Sequence, residues 1–172
     1  TFDSFERAKA AGLPIIFDVD YLPYSWPSPQ VAEEVLIRAA AASDMIVGND
    51  EEFGFMAGGI EKGMAKAKAL AESTATIVVY KMGEKGAVTF ADGEEIHTGI
   101  WPIEAMKPTG AGDSFMAGMV TGIAEGQSLK EAILRGSACA SITVSRPGCA
   151  PAMADTPTLA KFMAEHPGPT AS

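Results

Sequence analysis

The sequence has no long apolar run and no excess of basic residues, and each absence removes a class of protein. No uninterrupted apolar stretch reaches the ~18 residues that a membrane-spanning helix requires. Lys and Arg total 13 against 22 Asp and Glu, which gives a formal charge of -9. This balance leaves no basic stripe for nucleic acid. We therefore expect neither a membrane nor a nucleic acid as partner.

Cysteine and histidine are also scarce, with two residues of each. Cys139 and Cys149 lack the paired spacing of a zinc site and the density of a disulfide framework. They predict two reduced thiols and a cytoplasmic protein. His97 and His166 have no partner pattern that would indicate catalysis, so we expect surface or structural residues.

The length of the chain limits its organisation. A chain of 172 residues, 47% of them hydrophobic, is suited to one globular domain with a real core. It begins TFDSFERAKAAG, which has neither an initiator Met nor an apolar signal core and reads like the middle of an amphipathic helix. We therefore expect residues 1–172 to be part of a single domain in a longer chain.

Apolar runs alternate with helical patterns, which predicts a parallel α/β sheet. The first run, PIIFDV, is continuously apolar and predicts a buried strand. Asp92-Gly93 supplies the backbone conformation of a tight hairpin turn. The predicted strands are 14–19, 44–48, 74–80, 87–91 and 94–98. The predicted helices are 2–11, 30–42, 49–57, 60–72, 113–125, 129–145 and 157–165.

The stretch MKPTGAGDSFMAGM, residues 106–119, places a Gly-Ala-Gly turn before a helix. Small residues at 110–112 let backbone N–H groups approach a ligand, and the positive end of the helix dipole favours an anion there. Thr109 adds a hydroxyl, and Asp113 follows the turn directly. Alone, the turn fits equally a ligand site or a close-packed loop with a capping Asp.

Two further segments carry candidate ligands. In VGNDEEF, Asn49 and Glu52 share one face at the start of a helix, as a capping pair or as a binding pair. In YKMGEKGAV, a strand ends at a turn with Lys81 and Gly83. That turn is either a hairpin connection or a phosphate contact, because a lysine offers a point charge to phosphate.

The motif KPTGAGDSFMAG resembles the signature of the ribokinase-like, or PfkB, family of carbohydrate kinases. The resemblance implies a three-layer αβα sandwich, with this chain as the C-terminal nucleotide-binding portion without the N-terminal lid half. It implies Asp113 as the base that deprotonates the sugar hydroxyl, and the N–H groups of Gly110, Ala111 and Gly112 as an anion hole. ATP and Mg²⁺ would be the cofactors and a sugar or sugar acid the substrate.

The same resemblance assigns roles to the other segments. Asn49 and Glu52 would organise Mg²⁺, through water, and the nucleotide phosphates. The segment GSACASITVSRPGCAPAM resembles the helix and loop that line the adenine pocket, where relatives often have Asn in place of Ser137. The remaining residues expected at the nucleotide are Lys81, Gly83 and Thr109.

Lys107 occupies a position where many relatives have an Asp that helps to hold a monovalent cation. A lysine ammonium there could replace the charge of that ion. The sequence therefore predicts weak or absent potassium dependence. The family resemblance is compatible with a homodimer of the full-length protein.

The substrate class is narrowed by FDVDYLPYSW, by the Lys-Pro-Thr lead into the turn and by SRPGCAPAM. These segments resemble the 5-dehydro-2-deoxygluconokinase branch of the family, which acts in inositol catabolism. Asp18 and Asp20 follow a strand at the sheet edge where α/β proteins bind ligands, and would contact substrate. Leu22 stands where that branch is expected to have Arg. A 2-keto-3-deoxygluconate kinase or a fructokinase is the alternative.

Two alternatives lie outside the kinase class. An apolar strand followed by Asp18-x-Asp20 also resembles the first motif of haloacid-dehalogenase-type phosphatases. The later acidic pair of that family is missing, because Asp113 is followed by SFMAGM. The other alternative is a nucleotide-binding portion that is inactive by itself, since this chain lacks the half that carries the lid and most sugar contacts in the family.

Overall fold

The structure is a computed structural model that describes residues 2–75 and 77–169. The chain divides into two compact units. The first consists of Thr1–Gly83 and Ala87–Ile96, and the second of Glu84–Gly86 and His97–Ser172. The expectation of one domain within a longer chain stays a prediction.

A five-stranded sheet with strand order β1-β2-β3-β4-β5 organises the first unit. Pairing is parallel from β1 to β3 and antiparallel between β3 and β4. The strands are β1 Ile16–Asp18, β2 Met45–Asn49, β3 Ile77–Lys81, β4 Ala87–Ala91 and β5 Glu94–Thr98. The helices of this unit are α1 Phe2–Ala10, α2 Pro29–Ala41, α3 Asp50–Ala57 and α4 Gly63–Ser73.

The core of the first unit lies where the sheet packs against its helices. Ile46 and Val78 on the central strands and Phe53 on α3 are fully buried. Their β-branched and aromatic side chains suit a pleated surface that is covered on its faces. The carboxyl ends of three parallel strands are therefore held in a fixed register.

The burial predicted for the first strand is wrong. Ile16, Phe17 and Asp18 are all partly exposed, although the flanking Ile15 and Val19 are buried. The physical reason is that, within the part of the chain that the structure describes, β1 lies at one edge of the sheet and pairs with β2 only. An apolar run shows that a strand avoids water but not where it lies in the sheet.

The α-helices in the described part of the second unit are α5 Ala111–Ala124, α6 Leu129–Val144 and α7 Thr156–Glu165. Glycines allow α5 and α6 to approach closely. A Cβ placed on Gly118 would lie 2.8 Å from Cys139 Sγ, and one on Gly136 would lie 2.6 Å from the Phe115 carbonyl oxygen. The two helices consequently form one rigid pair.

Most predicted boundaries are confirmed, because local capping signals determine them. α2 begins after Ser28, whose side chain accepts from the Val31 N–H, and α6 begins with a Ser128–Glu131 capping box. α4 begins at Gly63 because Ile60–Lys62 form a 3₁₀ turn. The strand predicted at 74–80 is observed as β3 Ile77–Lys81, and its predicted start is too early, because Thr74 caps α4. Residue 76 lies outside the described residues.

The scarce residue types behave as expected. Cys139 and Cys149 are both free thiols. His166 is structural, since its ring stacks on Phe162 at 3.9 Å between centroids. Among the described residues, no helix has the length and apolarity needed to cross a membrane.

Candidate active site

Polar side chains collect at the carboxyl ends of the three parallel strands in the first unit. Asp18 ends β1, Asn49 ends β2 and Lys81 ends β3. Asn49 and Lys81 are paired in the sheet register, and Asp18 is paired with Val47 two residues earlier on β2. Loops at this edge of an open α/β sheet are where such folds bind ligands.

Asn49 and Glu52 form a capping box at the start of α3. The Glu52 N–H donates to Asn49 Oδ1 over 2.9 Å, and the Asn49 N–H donates to Glu52 Oε2 over 2.7 Å. The capping interpretation from sequence is confirmed. It leaves Glu52 Oε1 and the Asn49 amide nitrogen outside the box, so capping does not exclude a second role.

The Glu52 side chain is half-buried. Burial raises the pKa of this carboxyl above its usual value, and this effect exceeds the opposing influence of the Asn49 N–H and of the Lys81 cation. Asp18 raises the pKa further, whereas the backbone of Tyr21 lowers it through a hydrogen bond. Glu52 therefore links α3 to the loop after β1.

We expect Glu52 to titrate above the ~4.3 of an exposed Glu. Lys81→Met should raise this pKa further, because it removes a cation that favours the carboxylate. The folded state then binds the proton more tightly than the unfolded chain. The associated stability is complete below the unfolded pKa and is lost as pH rises through the folded value.

Carbon-detected NMR titration of the glutamate carboxyls would measure this shift. Lys68→Met is the matched control, because Lys68 pairs with Glu95 and should leave Glu52 unchanged. Glu131 is an internal reference of opposite sign, since hydrogen bonds from Ser128 lower its pKa. If the pKa of Glu52 is at or below that of Glu131, burial does not raise the pKa of Glu52 as proposed.

Three other residues of the first unit that the sequence analysis names lie after β1 or β3, and Gly83 among them begins a 3₁₀ turn. Asp20 is exposed with φ of 36°, an unusual conformation for a residue with a side chain. Leu22 is 38% exposed, and Gly83 is exposed with φ of 57°. The sequence analysis did not identify Gly48 as part of the site. A Cβ there would lie 2.9 Å from Phe53 and 3.2 Å from Glu52 Oε2, so only glycine leaves room for the Glu52 carboxylate.

The Gly-Ala-Gly turn opens α5 in the second unit. Gly110 is the N-cap with φ of 85°, a left-handed conformation that suits glycine. The Ala111 N–H donates to the Pro108 carbonyl over 3.1 Å. Within residues 2–75 and 77–169, the N–H groups of Gly110, Gly112 and Asp113 have no backbone acceptor. Because such N–H groups and the positive end of a helix dipole favour an anion, this turn is the anion seat that the sequence predicts.

Asp113 and its neighbours surround this seat with polar groups. Asp113 is exposed in the first turn of α5, so its carboxylate is open to a substrate. Thr109 is also exposed. Lys107 is half-buried, and its Nζ donates to the Thr109 carbonyl over 3.1 Å. The Lys107 ammonium thus bonds to the carbonyl of the residue that directly precedes the turn.

The turn packs against residues whose proximity to it was not predicted from the sequence. A Cβ on Gly110 would lie 2.7 Å from Cys149 Sγ and 3.5 Å from Thr143 Cγ2. The hydroxyls of Ser114 and Thr143 are 2.6 Å apart and both are buried. No local pattern indicates this pair, because its members are separated by 29 residues of sequence.

Ser137 lies on α6 and is 7% exposed. Its Oγ donates to the Gly99 carbonyl over 3.4 Å, so its hydroxyl already has a partner within the chain. A contact from this side chain to adenine stays a prediction.

Comparison with known proteins identifies the family. The family model described as pfkB family carbohydrate kinase matches residues 2–157. The chain belongs to the pfkB family of carbohydrate kinases. The resemblance inferred from KPTGAGDSFMAG is therefore confirmed, and the family membership favours a kinase over the phosphatase alternative.

Two bacterial relatives place this pfkB chain more narrowly. It is 34% identical over 168 residues to a 5-dehydro-2-deoxygluconokinase of Photobacterium profundum, covering 95% of this chain and 51% of the relative. It is 33% identical over 167 residues to 5-dehydro-2-deoxygluconokinase 1 of Bacillus cereus, covering 94% and 50%. The chain thus spans about half the length of these relatives.

Solved structures confirm the predicted ribokinase-like fold class. Aminoimidazole riboside kinase from Salmonella enterica, complexed with aminoimidazole riboside and an ATP analogue, matches with a TM-score of 0.86 at 22% identity, covering 95% of this chain and 56% of that one. Arabidopsis thaliana ribokinase, complexed with ribose and ATP, matches with 0.74 at 29% identity, covering 92% and 50%.

Proposed function

We propose that the full-length protein transfers the γ-phosphoryl group of ATP to a hydroxyl of a sugar or sugar acid, with 5-dehydro-2-deoxygluconate as substrate. One observation carries this proposal: the exposed Asp113 carboxylate lies beside a turn where, among the described residues, the N–H groups of Gly110, Gly112 and Asp113 have no backbone acceptor. A base next to an anion seat is the arrangement that phosphoryl transfer to an alcohol requires.

In the proposed mechanism Asp113 and the turn have separate tasks. Asp113 accepts the proton of the attacking hydroxyl, while the N–H groups of Gly110, Gly112 and Asp113 stabilise negative charge on the transferred group. Phosphoryl transfer depends mainly on positioning and charge stabilisation, so fixed backbone donors suit it. The Ala111 N–H, which the sequence also placed in the anion hole, donates to the Pro108 carbonyl. It would therefore act only through the helix dipole.

The residues at the carboxyl end of β2 fit a hydrated Mg²⁺. Among the described residues, no group of three or more acidic, His or Cys side chains could enclose a metal ion. Mg²⁺ keeps several waters and commonly uses one or two carboxylates, so Glu52 Oε1 could hold it through water. Bound Mg²⁺ would neutralise phosphate charge, and Asn49 would orient the surrounding groups.

The nucleotide and sugar contacts are inferred from the family. Lys81, at the end of β3, would offer a positive charge to the phosphates. Gly83, with a positive φ and no side chain, would let the phosphates approach the backbone of the following turn. Thr109 contributes a hydroxyl beside the anion seat, and Ser137 lines the adenine pocket. Asp18 and Asp20 would bind substrate hydroxyls from the loop after β1.

Lys107 should make a monovalent cation unnecessary. Its ammonium donates to the Thr109 carbonyl and is placed to offset negative charge near the turn. We expect replacement of potassium by tetramethylammonium at constant ionic strength to change turnover little. Lys107→Met should lower turnover by roughly tenfold or more, because one fixed charge near the developing negative charge is lost.

Lys130→Met is the control for this prediction, since it removes an exposed lysine from the first turn of α6. It should leave turnover unchanged. If potassium strongly activates the wild-type protein, the Lys107 ammonium does not take the place of a bound monovalent cation.

An ATP-dependent assay on the full-length protein tests function and substrate together. The acceptors are 5-dehydro-2-deoxygluconate, 2-keto-3-deoxygluconate, ribose and fructose, with ADP formation as the readout. We expect the highest kcat/KM with 5-dehydro-2-deoxygluconate. Preference for 2-keto-3-deoxygluconate or fructose would instead support another pfkB sugar kinase.

The same assay separates the remaining alternatives. Turnover of no acceptor would contradict the kinase proposal, and phosphate release from sugar phosphates without ATP would support a phosphatase. Residues 1–172 expressed alone should bind ATP without phosphorylating a sugar. Turnover by this portion would show that the other half of the relatives is dispensable.

A further inference from the structure

The last turn of α6 forms hydrogen bonds with the segment 106–114, which contains the proposed anion seat and base. The Val144 carbonyl accepts from the Met106 N–H over 2.8 Å and from the Lys107 N–H over 3.3 Å. One residue earlier, Thr143 lies close to Gly110 and bonds to Ser114 in the first turn of α5. Its Cγ2 lies 3.5 Å from the Cβ position of Gly110, and its Oγ1 lies 2.6 Å from Ser114 Oγ.

Thr143 and Ser114 are placed for positioning rather than for contact with substrate. Their exposed fractions are 0% and 2%, so neither hydroxyl reaches solvent or a ligand. Ser114 directly follows Asp113 on α5, and Gly110 is the N-cap of that helix. A shift of Thr143 would therefore move both the anion seat and the base.

We propose that Thr143 is a positioning residue for phosphoryl transfer, because its hydroxyl bond to Ser114 fixes the first turn of α5 and thereby the geometry of Asp113 and the turn's N–H groups. The bond is buried, so water cannot replace it, and loss of one partner leaves the other hydroxyl unsatisfied. This inference rests on the proposed function for its catalytic consequence only.

Substitutions in the full-length protein test the hydroxyl bond. Thr143→Val keeps the shape of the side chain but removes the hydroxyl. It should lower kcat by roughly ten- to a hundredfold, because displacements of about 1 Å have effects of this size, while KM for ATP and sugar changes little. Thr143→Ser keeps the hydroxyl and should retain most of the activity.

Ser141→Ala is the matched control for a merely structural effect. Ser141 is also buried on α6, and its hydroxyl donates to the Trp101 carbonyl over 2.9 Å, away from α5. Its loss should lower the melting temperature about as much as Thr143→Val while leaving kcat unchanged. Equal losses of kcat in the two variants would overturn the proposal.

A double-mutant cycle identifies the bond itself. Ser114→Ala should reproduce the effect of Thr143→Val, and the double variant should be no slower than either single variant, because both remove the same interaction. Additive losses would overturn the proposal. So would a Thr143→Ser variant as slow as Thr143→Val, since the methyl contact with Gly110 would then explain the effect.

An NMR measurement keeps this inference separate from the proposed function. The amide signals of residues 110–113 should shift in Thr143→Val and remain unchanged in Ser141→Ala. If wild-type protein phosphorylates no sugar, the proposed function fails, but these shifts still decide whether Thr143 positions the turn. Unchanged signals in Thr143→Val would overturn the positioning role.

Discussion

Asp113→Asn should lower turnover of the full-length protein by about 10²–10⁴-fold, the usual contribution of a general base. Asn has nearly the same size but cannot accept the proton of the attacking hydroxyl. Asp113 is exposed, and among the described residues no side chain or backbone group bonds to its carboxylate, so the substitution disrupts no contact there. Binding of ATP should therefore change little, as measured by calorimetry beside the turnover assay.

Asp155→Asn provides the matched control for the base. Asp155 is also an exposed Asp at the start of a helix, where it caps α7 by accepting from the Thr158 N–H. The control makes the same change of charge at another helix N-terminus of the same unit, and it should leave turnover intact. If Asp113→Asn retains wild-type turnover, Asp113 is not the base.

Gly110→Ala should lower turnover by about 10²–10³-fold, the effect of losing a donor to a developing negative charge. Two effects combine at this position. The left-handed φ of 85° disfavours a residue with a Cβ by about 1–2 kcal/mol, and the new Cβ would lie 2.7 Å from Cys149 Sγ. The turn must therefore move, which can be followed through the amide signals of residues 110–113.

Gly126→Ala separates backbone strain from the steric clash. Gly126 has φ of 80°, but a Cβ there would meet nothing within 4 Å. It should reduce stability through the same strain while leaving turnover unchanged. Adding Cys149→Ala to Gly110→Ala should restore part of the turnover by removing the clashing sulfur. Equal losses of turnover in Gly126→Ala and Gly110→Ala would contradict the steric explanation.

Most of the fold could be predicted because its signals are local. The Asp92-Gly93 turn predicted the β4 and β5 bounds, and Ser28 and Ser128 marked the starts of α2 and α6. Such signals act between residues a few positions apart, where sequence alone determines the geometry. The burial of β1 depended on its place in the sheet and was predicted wrongly.

The candidate site was only partly predictable for the same reason. Asn49 and Glu52 are three residues apart, so helix geometry fixes their contact, and the capping box follows from the sequence. Lys81 meets this pair only because β2 and β3 are parallel and in register. The raised pKa of Glu52 depends on burial beneath several segments, which no local pattern encodes.

The sequence by itself indicated the family through its resemblance, and it placed a glycine turn and Asp113 at the start of a helix, because such signals lie within a few residues of each other. Only the tertiary structure decided what holds that turn. Thr143 and Cys149 reach Gly110 from 33 and 39 residues further along the chain, through the packing of α6 and the loop after it. Contacts of this kind arise from the packing of distant elements against each other, so no local sequence pattern predicts them.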